Sequence, residues 1–146
     1  MMCRISSISI VENKQGNKKI MEITWDVIDS HAYQFRNIGV KSDTSVLVLG
    51  DHSSQPSLRD VARLALQSIG APVIEVLSTS AFNGEQRGEN FTTEFVSTCF
   101  ASSDYVIDCT GEKLTRHLDI NAVRQSGTQI FIEGINTWVP VGETEN

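Results

Sequence analysis

The sequence predicts an α/β fold, and three observations carry that expectation. Four short apolar runs, Val46–Leu49, Val73–Leu77, Tyr105–Ile107 and Ile130–Ile132, are spread along the chain. Segments of helical periodicity separate them, and polar residues gather directly after each run. Short apolar runs alternating with amphipathic helices describe strands buried on both faces of a parallel sheet. The expected architecture is a three-layer, Rossmann-like sandwich with a mainly parallel sheet of about four strands. Such sheets bind ligands beyond the carboxyl ends of their strands, which confines the search to residues 50–57, 79–90, 110–113 and 133–138.

The elements follow in chain order. Residues 1–20 stand apart. Arg4–Val11 is short and no small-residue cleavage site follows it, so a signal peptide does not fit. This leader is expected to be an added strand, a tail, or sequence upstream of a natural start at Met21. Residues 21–140 read as one α/β domain and residues 141–146 as a polar tail. Trp25, Ile28, Ala32 and Phe35 recur at helical spacing, Val27, Tyr33 and Ile38 widen the stripe, and Gly39 stops it. Ser45–Leu49 is the first strand.

Ser57-Leu-Arg-Asp60 resembles a capping box, while Pro56 offers a first helical residue instead. Leu58, Val61, Ala62, Ala65 and Ile69 form the buried stripe of that helix. Gly70 ends it, Pro72 forbids continuation, and Val73–Leu77 completes a βαβ unit. Ser78–Glu89 reads as a long loop, and Asn90 caps a helix that turns Phe91, Phe95, Cys99 and Phe100 inward. Asp104–Asp108 is a strand. Leu114, Leu118 and Ala122 mark a helix broken near Asp119, and Gly127 precedes the final strand. After Glu133 the chain carries Trp138 and Pro140 and finishes polar.

Composition narrows the function classes. A chain of 146 residues with 40% hydrophobic and 21% charged residues suits one globular domain, large enough to bury about two-thirds of its unfolded surface. No apolar stretch approaches the roughly 20 residues of a spanning helix. A net charge of −6 with scattered Lys and Arg sets the chain against nucleic acid. Neither nucleic acid nor membrane is therefore an expected partner. Cys3, Cys99 and Cys109 are odd in number and lack CxxC spacing, which suits small buried hydrophobes in a reducing cytoplasm.

The turn Gly50-Asp-His-Ser-Ser-Gln-Pro56 follows the first strand with a single glycine. Neither GxGxxG nor GxxxxGK[ST] is present, which disfavours a phosphate cradle. Asp51, His52, Ser53 and Gln55 are better suited to hydrogen-bond a small polar ligand, and the competing reading is an ordinary capped turn. Asp51 and Asp108 both fall at strand ends, yet the later strand ends in Ile132-Glu133 where a phospho-acceptor domain needs Lys. His31 and His117 sit in helical segments as surface or half-buried residues, whereas His52 lies on the expected rim. No HExxH or carboxylate cluster offers three metal ligands, and Ser53-Ser54 is not framed as GxSxG.

The segments Ser45-Val-Leu-Val-Leu-Gly-Asp-His, Ala71-Pro-Val-Ile-Glu-Val, Ala101-Ser-Ser-Asp-Tyr-Val-Ile-Asp and Gly127-Thr-Gln-Ile-Phe-Ile-Glu resemble the amino-terminal domain of the aminopeptidase T / 2,5-dihydroxypyridine 5,6-dioxygenase superfamily. The likeness runs from Met21 to Pro140. It implies a two-domain metalloenzyme whose iron or other divalent metal is held by a carboxyl-terminal domain. This chain is then expected to be a stand-alone or truncated substrate-side domain, with no catalytic residue, metal ligand or cofactor of its own. On that reading Asp51, His52, Ser53, Gln55, Thr110, Gly111, Glu112 and Glu133 line a rim for a small polar or aromatic acid, or for a catalytic partner subunit. Two alternatives stand beside it. One is an independent small-molecule-binding or homodimeric module, assembled through the Phe-rich helix or Trp138. The other is a nucleotide-binding half-domain, which the missing glycine loop disfavours.

Overall fold

The computed structural model describes residues 7–12, 18–78, 98–111, 113–117 and 121–142. The main sheet is built from β3 (Val46–Asp51), β4 (Val73–Ser78), β5 (Tyr105–Asp108), β6 (Gln129–Glu133) and β7 (Trp138–Pro140), in the order β4-β3-β5-β6-β7. The first four lie parallel, and β7 returns antiparallel on β6 with Glu133 opposite Trp138. The parallel α/β sandwich read from the sequence is therefore present. β7 was not foreseen: three residues carry no period, and Pro140, which lacks an N–H, is tolerated there because the strand lies at an edge.

Before the sheet, β1 (Ser7–Glu12) and β2 (Lys18–Ile23) form an antiparallel hairpin. It is a two-stranded sheet of its own, not an extension of the main one. Ile23, at its end, is buried in the domain core.

Alternation along the strands divides the core between two faces. Val46, Val48, Tyr105, Ile107 and Phe131 meet α1 (Trp25–Asn37) and α2 (Pro56–Ile69) on one side. Leu47, Leu49, Val106 and Ile130 meet Phe100, Leu114 and Val123 on the other, where a 3-10 turn (Leu114–His117) and the short helix α3 (Asn121–Gln125) lie. Coverage on both faces is why β3 reads as an unbroken apolar run.

β4 departs from that expectation. As an edge strand with β3 as its neighbour, it leaves Ile74 and Leu77 69% and 54% exposed. Glu75 lies between Arg59 and Arg63, at 3.2 and 3.9 Å. The expected long loop, Phe91 and Phe95 fall outside the described residues. Residues 98–100 are helical, but Cys99 is exposed and only Phe100 turns inward. The expected break near Asp119 also falls outside the described residues.

α1 starts at Thr24, whose Oγ1 accepts the Val27 amide at 3.4 Å, with Asp26 in the first turn and Arg36 in the last. Ile28, Ala32 and Phe35 are buried as the spacing predicts, while Trp25 stays at the margin. α2 corrects the capping-box expectation. Pro56 occupies the first helical position with Gln55 as cap, and Ser57 is buried inside the first turn. A proline that has no N–H already answers one of the donors a capping side chain would satisfy. Leu66, missing from the predicted stripe, is fully buried.

Phe35 is completely buried beside Trp138, ring centroids 5.2 Å apart. Phe35→Ala is therefore expected to lower the free energy of unfolding by about 3–5 kcal/mol. Urea unfolding followed by circular dichroism measures this, and a loss below about 1 kcal/mol would contradict the packing.

Candidate functional site

The loop leaving β3 is closed by its own first residue. Asp51 Oδ1 accepts hydrogen bonds from the Ser53 amide (3.0 Å), Ser53 Oγ (2.8 Å) and Ser54 Oγ (3.2 Å). Ser54 Oγ also accepts the Asp51 amide at 2.8 Å. Aspartate suits this position because its short carboxylate reaches the backbone two residues on. Asp51 and Ser53, expected as ligand contacts, thus bind each other. His52 points outward and is exposed.

The loop leaving β5 is fixed in the same way and more completely. Asp108 is buried, and its Oδ1 accepts from the Thr110 amide and hydroxyl at 2.9 and 2.6 Å. Its Oδ2 accepts from the Thr115 amide and hydroxyl at 2.9 and 2.6 Å. Thr110 Oγ1 in turn accepts the Leu114 amide at 2.7 Å. Thr110 is therefore a buried brace rather than an open contact. The two loops also touch: the Gly111 amide reaches Asp51 Oδ1 at 3.4 Å, and a Cβ on Gly111 would collide with the Ser53 carbonyl oxygen. Glu112 lies outside the described residues.

Polar groups converge instead next to this closed pair of loops. A shallow recess of about 70 Å³ is lined by Gln55, Leu58, Thr110, Gly111, Lys113 and Glu133, with Asp108 and Cys109 at its base. Gln55 makes no capping bond with its side chain. Lys113 adopts a φ of 53° and lines the recess. It falls within the stretch 110–113 expected at this end of the sheet, although it was not among the residues named there as ligand contacts.

Partial burial raises the Glu133 carboxyl above the usual carboxylate range, and Lys113 opposes that shift. Burial, followed by Asp108 and Glu133, pushes the Cys109 thiol far upward, which keeps it protonated and unreactive. Among the described residues no three His, Cys, Asp or Glu side chains are grouped to hold a metal ion. Asp51 Oδ1 and both Asp108 oxygens are already engaged by donors of the protein itself.

Asp108→Ala should cost about 3 kcal/mol, since it strands two buried amides and two hydroxyls, while exposed His52→Ala should stay within about 0.5 kcal/mol. Urea midpoints on the two variants distinguish them, and equal losses would be inconsistent with this network. Glu133 titrates with a definite sign. Its folded-state pKa is raised, so its contribution to stability is present below the ordinary carboxylate pKa and is lost as pH rises through the raised value. Glu133→Gln should therefore melt higher than the parent at neutral pH and flatten the weakly acidic part of the stability profile. An unchanged profile would contradict the assignment.

No protein-family model matches the chain, and no curated protein matches it. Solved structures do. 2,5-Dihydroxypyridine dioxygenase from Pseudomonas putida superposes with a TM-score of 0.55 at 18% identity, over 73% of this chain and 33% of its own. The structure of IdnL1 gives 0.54 at 13% identity, over 94% and 25% of the two chains. A luciferase-like enzyme from the mealworm Zophobas morio gives 0.51 at 11% identity, over 87% and 27%. The chain spans a third or less of these neighbours' lengths, and at such identities the likeness is one of α/β fold.

Proposed function

We propose that this chain is the substrate-side domain of a two-part enzyme, resembling the amino-terminal domain of aminopeptidase T / dihydroxypyridine dioxygenase-like proteins. It supplies binding groups for a small polar or aromatic acid. A second domain or partner subunit supplies the metal and the catalytic groups.

One observation supports the reading: the recess is too small to enclose a ligand by itself. At about 70 Å³ it is far smaller than the roughly 300–1,000 Å³ of an enclosing ligand pocket. A ring seated there is covered on one side only and needs a second body to exclude water. The recess nonetheless holds a cation, Lys113, beside the Gln55 amide and the Glu133 carboxyl. Lys113 pairs with a ligand carboxylate, Gln55 hydrogen-bonds a ring substituent, and Glu133, with its raised pKa, retains a proton to donate more readily than an ordinary carboxylate. The fold shared with a dioxygenase of about three times the length supports a division of labour between domains.

A titration with benzoate tests this, followed by amide NMR. Saturable shifts at Gly111, Lys113 and Glu133 are expected, weakened about tenfold or more in Lys113→Ala, because a charge-assisted contact is lost. The isolated chain should leave 2,5-dihydroxypyridine intact. Ring opening by the chain alone, or benzoate shifts that survive Lys113→Ala, would overturn the reading.

A further inference from the structure

A second, larger cavity of about 290 Å³ lies on the other side of Glu133, between α1 and the β6–β7 hairpin. Its walls are polar: Ser30, His31 and Gln34 from the helix, Glu133 and Asn136 from the hairpin, with Trp138 behind them. The hairpin turn is well defined. The Gly134 amide donates to the Thr137 carbonyl at 2.7 Å, and Asn136 takes a φ of 64°, a conformation Asn tolerates better than most residues.

The chemistry of the walls follows from one hydrogen bond. Trp138 is buried, and its Nε1–H donates to His31 Nδ1 at 3.1 Å. An Nδ1 that accepts carries no proton, so the neutral ring carries its proton on Nε2 and offers a donor there. Burial lowers the His31 pKa, in keeping with a neutral ring. On the next helical turn, Gln34 Oε1 is buried without a hydrogen-bond partner. A buried amide oxygen left unpaired costs free energy, and a turn of the Gln34 amide toward the cavity this residue lines would let a ligand donor pair it. Glu133 adds a carboxyl acceptor at the rim.

These groups select against charge. Among the described residues no Lys or Arg lines the cavity, so an anion would face Glu133 with only neutral donors, His31 Nε2–H among them, to receive it. An ammonium ion would satisfy Gln34 and Glu133 but set its own hydrogens against His31 Nε2–H. A hydroxyl both donates and accepts, and several on one small frame answer all three groups. The volume lies at the lower end of the usual range of about 300–1,000 Å³, which suits a ligand of monosaccharide size.

We propose that this cavity binds a small, uncharged, polyhydroxylated molecule, held by Gln34, His31 and Glu133. The site shares only Glu133 with the Lys113 recess and takes a different class of ligand.

The test is an NMR titration of the full chain with D-glucose and with myo-inositol, following the Trp138 indole and His31 ring signals. Trp25→Phe removes the other indole from the spectrum. A saturable shift with at least one polyol is expected, weakened about tenfold in Gln34→Leu, since the orphan oxygen is gone. Glu133→Gln keeps the shape of the rim and should weaken binding severalfold, which provides a second variant if Gln34→Leu folds poorly. Signals unmoved by both polyols would overturn the proposal, as would affinity unchanged in both variants. Acetate or methylammonium moving the same signals at lower concentration would also overturn it. Benzoate shifts near Lys113 are read on different nuclei, so either site can fail while the other stands.

Discussion

The loops that leave β3 and β5 meet backbone to backbone, and this contact sets what the carboxyl end of the sheet can offer. In the order β4-β3-β5-β6-β7, the chain first steps from β3 outward to β4 and then crosses to β5 on the opposite side. The strand order therefore reverses between β3 and β5, the place where open α/β sheets usually open a ligand crevice. Here Gly111 lies against Ser53 with no room for a side chain, and the Asp51 carboxylate joins the two loops. The crevice is closed by the protein itself. Among the described residues, two recesses lie toward β6, and Glu133 lines both.

Both aspartates at those strand ends illustrate how one residue type serves two ends. A carboxylate at a loop with neighbouring hydroxyls and amides can bind a ligand or fold the loop onto itself. Asp108 receives four hydrogen bonds from Thr110 and Thr115 alone, so a ligand would have to displace donors already held at 2.6–2.9 Å. Exchanging charge-assisted bonds in a buried place gains little and risks leaving an amide unpaired. Their role is to give the crest a fixed shape. Gln55, Lys113 and Glu133 border that crest from three different segments of the chain.

Much of the fold was legible in the sequence because β3, β5 and β6 are short apolar runs covered on both faces, a pattern few other structures produce. Val73–Leu77 has the same appearance but lies at an edge, since composition does not record which strand has neighbours on both sides. Trp138 shows the opposite case. Expected only to follow the last strand, with a dimer contact as one alternative, it becomes a core residue because β7 folds back onto β6. The site was less legible for a related reason. The spacing of Asp51, Ser53 and Thr110 identifies the correct end of the sheet, but serine and threonine following aspartate look alike whether they face a ligand or the carboxylate. Lys113 lies in the stretch 110–113 already expected at this end, whereas His31 and Gln34 come from a distant helix, and no local pattern brings them to Glu133.

The position of Glu133 separates the two recesses by charge. On one side Lys113 lies across from it, and a ligand carboxylate finds a cation while the Glu133 proton is held more tightly than usual. On the other side, among the described residues, no Lys or Arg joins the Glu133 carboxyl in the wall, and burial lowers the His31 pKa while its Nδ1 accepts the indole N–H of Trp138. An acid entering the second recess would leave Glu133 repelled and Gln34 unsatisfied. A polyol entering the first would leave the Lys113 charge without a counterion. On the two proposals together, a single carboxyl group shared between a cationic and an uncharged wall would sort ligands by charge, because β6 ends with Glu133 between them.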